Sequence, residues 1–238
     1  MTTLAVLFIA VMAVGQETSK VFETIYLMPK EGQSKALYKA ITEHNKKYHS
    51  GETHKASVHY ISAGKYFGQY SWIMGPIKFA DLDSRPKGDH DTDWTETVAP
   101  LVKRESKLEY WRNNEKLSYW PEESTEKGMA HLRYWDIKDG KEAGFYKLMG
   151  KVVKVFSENK YEHSWGVYTS TFDTGSGRDV VAVMDFDNWA FFDEQGPFVK
   201  DYEIMYGENS FGEFMKEFMN TTNGMTDEVR LMKMDDSE

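Results

Sequence analysis

The sequence predicts an α+β protein made of two tandem copies of one β-α-β-β-α-β unit, each with an antiparallel sheet. The first observation is an internal repeat, in which Leu37 and Ile41 correspond to Phe145 and Met149 at a constant spacing of 108 residues. The second is that strand-like and helix-like apolar patterns follow one another in the same order in both copies. A repeat constrains the fold class more firmly than local propensity does.

Each copy opens with a strand and continues into a helix. Residues 21–28 and 129–137 alternate in polarity and contain many β-branched and aromatic side chains, as half-buried strands do. Apolar positions at helical spacing follow, which predicts one long helix in each copy. The stripe consists of Leu37, Ile41, His44 and Tyr48 in the first copy and of Phe145, Met149, Val152 and Phe156 in the second.

Two further strands follow each long helix and are joined by a glycine-containing turn. They are predicted at residues 56–62 and 66–74 in the first copy, and at 164–172 and 179–186 in the second. Glycine between two alternating segments is a hairpin signal. Each copy therefore contributes a β-hairpin after its first helix.

A second helix and a last strand complete each copy. In the first copy the helix is predicted to start at Asp93, which forms a capping box with Glu96, and Pro100 must kink or restart it. In the second copy the helix follows Ser210, where apolar residues again recur at helical spacing. The last strands are predicted at residues 107–112 and 228–234.

The segments outside the two units also have recognisable patterns. Residues 1–15 contain an apolar run that is too short to span a bilayer and predict a secretory signal peptide, with a buried first strand or helix as the alternative. The first unit then covers residues 16–120, the polar stretch 121–127 is a linker, and the second unit covers 128–238. The product is expected to be exported to the periplasm or the medium, without a membrane span.

Composition excludes several classes of function. The net charge of -9 opposes binding to the phosphate backbone of nucleic acids, and the sequence has no dense basic stripe. Cysteine is absent, which excludes disulfides, thiolate nucleophiles, cysteine-ligated zinc and iron–sulfur clusters. The 14 Tyr, 14 Phe and 7 Trp residues favour a substantial core.

The β-α-β-β-α-β order is that of the ferredoxin-like unit, and two such units in one chain resemble the dimeric α+β barrel superfamily in fused form. The resemblance covers nearly the whole chain after residue 15 and rests on element order and repeat length. It implies two four-stranded sheets that face each other around a cavity, with the helices outside. It also implies a range of activities, among them those of cofactor-independent oxygenases and haem-dependent enzymes. An oligomer is possible but not required, because the two units of one chain can replace a homodimer.

Alternation along the strands predicts which side chains face that cavity. On the opening strand of the second unit, the apolar face is expected to meet the helices, which leaves His131, Arg133 and Trp135 in the cavity. The same reasoning places Tyr26, His59 and Tyr168 there. A histidine beside an arginine in an aromatic cavity could polarise a carbonyl, hold a carboxylate or transfer a proton. The alternative is a filled cavity, with His131 and Arg133 bonded to neighbouring strands or exposed at its rim.

Histidines and carboxylates also suggest metal binding in the first unit. His44 lies on the apolar helix stripe where the second copy has Val152, which marks either a site or a hydrogen-bonded core histidine. Residues five apart on a helix do not stack, so His49 is expected to point away from His44. A loop site formed by Asp89, His90 and Asp91 is a second candidate, with helix capping as its alternative.

Two functional hypotheses follow. In the first, the protein is an exported barrel that binds a small apolar or aromatic molecule, oriented by His131, Arg133 and His59, with or without catalysis. The sequence identifies no cofactor. In the second, the protein is a non-catalytic extracytoplasmic scaffold whose loops, with Trp94 or Trp189, contact other proteins.

Overall fold

The computed structural model describes residues 20–122, 127–193 and 196–232, and for residues 104–106 it describes the backbone alone. The predicted signal peptide and residues 123–126 of the predicted linker lie outside these ranges. Eight strands form the core of the fold: β1 (Val21–Pro29), β2 (Ala56–Gly64), β3 (Tyr70–Ile77), β4 (Val102–Asn113), β5 (Met129–Ile137), β6 (Gly166–Ser170), β7 (Val180–Phe186) and β8 (Thr222–Leu231).

All eight strands pair antiparallel and close into one barrel in the order β1-β3-β2-β8-β5-β7-β6-β4. The first unit contributes the run β4-β1-β3-β2 and the second the equivalent run β8-β5-β7-β6. The barrel closes where β2 pairs with β8 and β4 pairs with β6. The predicted α+β fold, two ferredoxin-like units packed as a pseudo-dimeric barrel, is confirmed.

Helices cover the outside of the barrel. Helix α1 (Ser34–Tyr48) and the short α2 (Asp89–Asp93) lie on the first unit, and α2 continues as a π-turn, Trp94–Val98, and a 3₁₀ turn, Ala99–Leu101. The second unit carries α3 (Glu142–Glu158), α4 (Phe198–Tyr206) and α5 (Ser210–Thr221). In the part of the chain that is described, no helix combines the length and the apolar character needed to cross a bilayer.

Several elements differ from the sequence prediction. Both last strands begin earlier than expected, at Val102 instead of residue 107 and at Thr222 instead of residue 228. The second helix of the first unit begins at Asp89 instead of Asp93, because the side chain of Asp91, and not that of Glu96, accepts from the backbone at the helix start, at Gly88 N. The turn predicted at residues 62–65 comes later, because β2 extends to Gly64 through its pairing with β8. Helix α4 was not predicted at all.

The barrel wall is buried on both faces. Leu37 and Ile41 of α1 pack on Trp72 of β3 in the core of the first unit, and Phe145 of α3 packs on Trp135 of β5 in the second. Inside the barrel, a third apolar cluster joins the two units. Polarity alternation is therefore a weak guide to the inner face of this sheet.

A network of four buried charges occupies one part of the barrel interior. The Arg178 guanidinium lies between Glu109 Oε1, at 3.4 Å, and Glu228 Oε1, at 3.0 Å. The other oxygen of Glu228 accepts from Arg230 at 2.9 Å. All four side chains are at most 4% exposed. Two positive and two negative groups balance, so burial leaves no net charge inside the barrel.

Tyrosines complete this network. The Nη2 atom of Arg230 donates to the hydroxyls of Tyr26 and Tyr134, each at 2.8 Å. The Arg178 guanidinium carbon lies 3.4 Å from the centre of the Tyr134 ring, in cation–π contact. Since Tyr26 comes from β1 and Tyr134 from β5, the network bonds the two units together.

We expect Glu228→Gln to lower the free energy of unfolding by about 3–5 kcal/mol, because it leaves buried arginine charge without a partner. Urea denaturation followed by circular dichroism measures this. The matched control is Glu43→Gln, which breaks an exposed pair with Lys39 at 4.0 Å on α1 and should change the stability by no more than about 0.5 kcal/mol. Equal losses in the two variants would contradict a structural role for the network.

Candidate functional site

The inner face of β5 is the opposite of the predicted one. Ala130, Leu132 and Tyr134 point into the barrel and line its cavity. Trp135 points outward into the core beneath α3 and α5, where its ring lies 5.7 Å from those of Phe145 and Phe218. The expectation that His131, Arg133 and Trp135 line the cavity was wrong. The reason is that the barrel interior is itself apolar here, so the apolar face of β5 does not identify the side that meets the helices.

His131 and Arg133 belong instead to a surface ion cluster. His131 Nε2 lies 2.9 Å from Asp227 Oδ1, and Arg133 Nε donates to the same oxygen at 2.8 Å. The Arg133 side chain is 42% exposed. Burial raises the pKa of Asp227, but the hydrogen bonds from His131 and Arg133 outweigh it and lower that pKa to about 2. These residues stabilise the β5–β8 pair and do not form a site in the cavity.

A cavity of about 250 Å³ remains inside the barrel beside the charge network. Its walls are mostly apolar and come from both units: Phe22, Ile73, Trp111, Ala130, Leu132, Tyr134, Val181, Val183 and Met232. Gly75 lies at its edge with φ 149°, where an added Cβ would come within 2.7 Å of the Val21 carbonyl oxygen. A glycine at this position lets β3 approach β1 closely.

Three larger polar groups converge on this cavity: His59, Tyr168 and Arg230. Burial, and then the positive charge of Arg230, lower the pKa of His59 to about 3, so its imidazole is neutral at physiological pH. Burial raises the pKa of Tyr168 to about 12, which keeps its hydroxyl protonated. The cavity therefore offers two neutral hydrogen-bonding groups beside one cation that Glu228 compensates.

The sequence predicted some of these residues and missed others. His59 and Tyr168 line the cavity as expected, whereas Tyr26 is fully buried in the charge network and is not part of the lining. Burial raises the pKa of Tyr26 to about 12. Trp111 and Arg230 were missed, although period-two alternation along the two last strands could have identified them.

A second cluster of interest lies between α1 and α2, and it combines three histidines that the sequence analysis treated separately. One ring nitrogen from each of His44, His49 and His90 lies within 4.8 Å of the other two. The expectation that His49 points away from His44 was wrong. Helix α1 ends at Tyr48, and His49 has φ -127° and ψ 26°, so its side chain no longer follows the helical rotation. Ser50-Gly51 was the sequence signal for that helix end.

Each of the three imidazoles has an oxygen partner at Nδ1. His44 Nδ1 lies 2.7 Å from Asp93 Oδ2, His49 Nδ1 lies 2.9 Å from the His54 carbonyl oxygen, and His90 Nδ1 lies 2.9 Å from Asp91 Oδ1. Burial lowers the pKa of His44, and it lowers that of His49 to about 4. Of the predicted loop ligands, only His90 belongs to this cluster. Asp89 is exposed and Asp91 only supports His90.

The cluster borders a second cavity, of about 280 Å³, on the outer face of the first unit. Its walls include Trp72 and Trp94, together with His49 and His90. Trp94, which the scaffold hypothesis placed in an exposed loop, packs against the core of the first unit. Trp189 is 51% exposed and is available for contacts, so that half of the hypothesis stays a prediction.

No family model and no curated protein matches this chain. Solved structures do resemble it. A putative monooxygenase from Fusobacterium nucleatum is 9% identical with a TM-score of 0.60, covering 92% of this chain and 94% of its own. An anthrone oxidase-like protein is 12% identical with a TM-score of 0.54, covering 92% and 93%. A mutant chlorite dismutase from Candidatus Nitrospira defluvii, in complex with cyanide, is 10% identical with a TM-score of 0.54, covering 91% and 92%. At these identities the likeness shows the dimeric α+β barrel fold.

Haem, which the resemblance to haem-dependent enzymes raises, does not fit the described residues. The barrel cavity and the cavity beside the histidines, of about 250 and 280 Å³, are smaller than the roughly 300–1,000 Å³ of typical ligand and cofactor pockets. A larger depression of about 620 Å³ beside α4 is open to solvent, and its described lining, which includes Lys200, Glu203 and Glu208, offers no histidine to bind a haem iron. In the second unit, the space between sheet and helices is filled by Trp135, Phe145 and Phe218. A porphyrin would have to displace these packed side chains.

The ion cluster at Asp227 makes stability depend on pH. Because the pKa of Asp227 falls from its ordinary value of 3.8 to about 2 in the folded state, its contribution is present above pH 4 and is lost as the pH falls towards 2. At pH 6 we expect Asp227→Asn to cost up to about 1 kcal/mol, since the pair is half exposed. Urea denaturation at pH 6 and at pH 2.5 tests this, and a loss of equal size at both values would contradict it.

Proposed function

We propose that this protein binds a small apolar or aromatic molecule inside the barrel, with His59 and Tyr168 orienting an oxygen atom of the ligand. The single observation that carries the proposal is the cavity of about 250 Å³, whose apolar walls surround a few convergent polar groups. This combination is the usual composition of a small-molecule site. The ligand must be small, on the order of one or two aromatic rings.

The charges decide what kind of oxygen the ligand presents. Arg230 has Nε and Nη2 bonded to Glu228 and to two tyrosine hydroxyls, so these atoms hold the network and do not reach a ligand. A carboxylate would bring net negative charge into an interior that is already balanced, which is costly. A neutral carbonyl or phenol, bonded to His59 and Tyr168, fits the site better.

The pKa of His59 also bears on catalysis. A general base is most effective when its pKa lies near the working pH, and a pKa of about 3 makes His59 a weak one. His59 therefore positions the ligand by hydrogen bonding instead of taking its proton. The likeness to a structure described as an anthrone oxidase-like protein supports an aromatic ligand.

We expect the protein to bind 1-naphthol, a small aromatic alcohol, and to gain stability by mass action. Ligand at 100 times the dissociation constant should raise the free energy of unfolding by about 2.7 kcal/mol. His59→Leu keeps the apolar volume and removes a hydrogen bond, so it should weaken binding about tenfold. Titration calorimetry and thermal denaturation measure the two effects.

Two variants at neighbouring positions test the location of this site. Ala130→Leu fills the cavity and should abolish binding, whereas His131→Ala, on the opposite face of β5, should leave it unchanged. If naphthol bound Ala130→Leu as tightly as the parent protein, the barrel cavity would not be the binding site. Near-ultraviolet circular dichroism confirms that each variant retains its packing.

Export is a separate part of the proposal. The apolar run within residues 1–15 and the small residues that follow it support cleavage by a signal peptidase. When the gene is expressed with its native start, N-terminal sequencing of the mature protein should find a chain that begins at or close to Gln16. A protein that keeps Met1 and stays in the cytoplasm would contradict export.

A further inference from the structure

We propose that His44, His49 and His90 bind one divalent first-row transition metal ion through their Nε2 atoms. This site is independent of the barrel cavity, because it lies on the outer face of the first unit, between α1 and α2. Its ligands come from the C-terminal part of α1 (His44), from the residue that follows α1 (His49) and from α2 (His90).

The separations suit a metal site. The Nε2 atoms of His49 and His90 lie 3.1 Å apart, and two nitrogens bound tetrahedrally at roughly 2.0–2.1 Å from zinc would be about 3.3 Å apart. One ring nitrogen from each of the three histidines lies within 4.8 Å of the other two. The longest of these separations would have to shorten by up to roughly 1.5 Å to reach that ideal.

Hydrogen bonding shows that these Nε2 atoms need a partner. An oxygen that only accepts faces the Nδ1 atom of every ring, so in the neutral state each Nδ1 carries the proton and each Nε2 presents a lone pair. Two lone pairs then meet at 3.1 Å between His49 and His90. His44 Nε2 is buried without any hydrogen-bond partner, although buried polar atoms are normally satisfied. A cation bound between the three nitrogens would accept the lone pairs of His49 and His90 and would give His44 Nε2 a partner.

A shared proton is the competing explanation, and it accounts for less. If His90 were an imidazolium, it would donate to both Asp91 and His49 Nε2, which satisfies the 3.1 Å contact. It would still leave His44 Nε2 unpaired in the protein interior. A metal ion satisfies all three nitrogens at once.

The oxygen partners match the surroundings of known metal sites. Metal-binding histidines usually donate their other ring N–H to a carboxylate or a backbone carbonyl, which fixes the tautomer and the ring orientation. Here Asp93, the His54 carbonyl and Asp91 provide such partners for the three rings. Asp93 is held in turn by Lys47 Nζ at 3.1 Å and by the Thr97 hydroxyl.

The ligand set also indicates the class of metal. Imidazole nitrogen favours zinc, copper, iron and nickel over magnesium and calcium, which prefer oxygen. Three protein ligands leave one coordination position for water, as in catalytic zinc sites. Structural zinc sites, in contrast, use four protein ligands. The bordering cavity of about 280 Å³, walled by Trp72 and Trp94, gives room for that water.

The site belongs to the first unit only. The positions of the second unit that correspond to His44 and His49 in the repeat are Val152 and Ser157, of which Val152 is core and Ser157 is exposed. The two long helices share their packing role but not the histidines. Packing of the fold therefore does not require imidazoles at these positions.

Titration of the full-length protein with Co²⁺, after dialysis against EDTA, tests the proposal. We expect one Co²⁺ per chain with visible absorption bands typical of a tetrahedral nitrogen site, and a rise in Tm when Zn²⁺ is added to the metal-free protein. His90→Ala changes a half-buried residue of α2 and should remove both effects. His131→Ala, a histidine with a carboxylate partner elsewhere on the surface, should retain both.

Asp93→Asn separates a metal-supporting role from a merely structural one. It should weaken Co²⁺ binding about 10–100-fold while the stoichiometry remains one, whereas a structural role alone would lower Tm without changing affinity. Absence of Co²⁺ binding at micromolar concentration in the parent protein would overturn the proposal in favour of a shared proton. Equal binding by the parent and His90→Ala would overturn the assignment of the ligands.

Discussion

The buried balance of charge inside the barrel is the constraint on which the rest of the structure depends. Arg178 and Arg230 are held by Glu109 and Glu228 in a space that water does not reach. None of these groups tolerates the loss of its partner, because an uncompensated buried charge is costly. Glu109 comes from the first unit and the other three from the second, so the balance exists only when both units assemble.

This network also determines where a ligand can bind. It fills part of the interior with polar groups that satisfy one another and leaves the remainder to apolar walls and a cavity. Tyr134 and Arg230 belong to both regions, which fixes the boundary between them. A ligand that brings no charge leaves the balance undisturbed, and this is why a neutral aromatic molecule suits the cavity.

The two units use one scaffold for different purposes. In the second unit the outer face of the sheet is packed with Trp135, Phe145 and Phe218 beneath three helices. In the first unit the equivalent face is covered by α1 and by a short, irregular helical segment. That thinner cover leaves room for the second cavity and for three histidines at its edge. The asymmetry between the repeats thus lies at the position of the proposed metal site.

The sequence by itself determined the fold class, because the repeat, the helical stripes and the hairpin glycines are local patterns of period and turn chemistry. It also identified His59 and Tyr168 from alternation. The inward face of β5 was decided only by the tertiary structure, since a strand buried on both sides carries no polarity signal that separates barrel from helices. The tertiary structure also decided that His44, His49 and His90 lie together. Their proximity depends on where α1 ends and on how α2 packs against it, and the spacing of the residues in the sequence encodes neither of these.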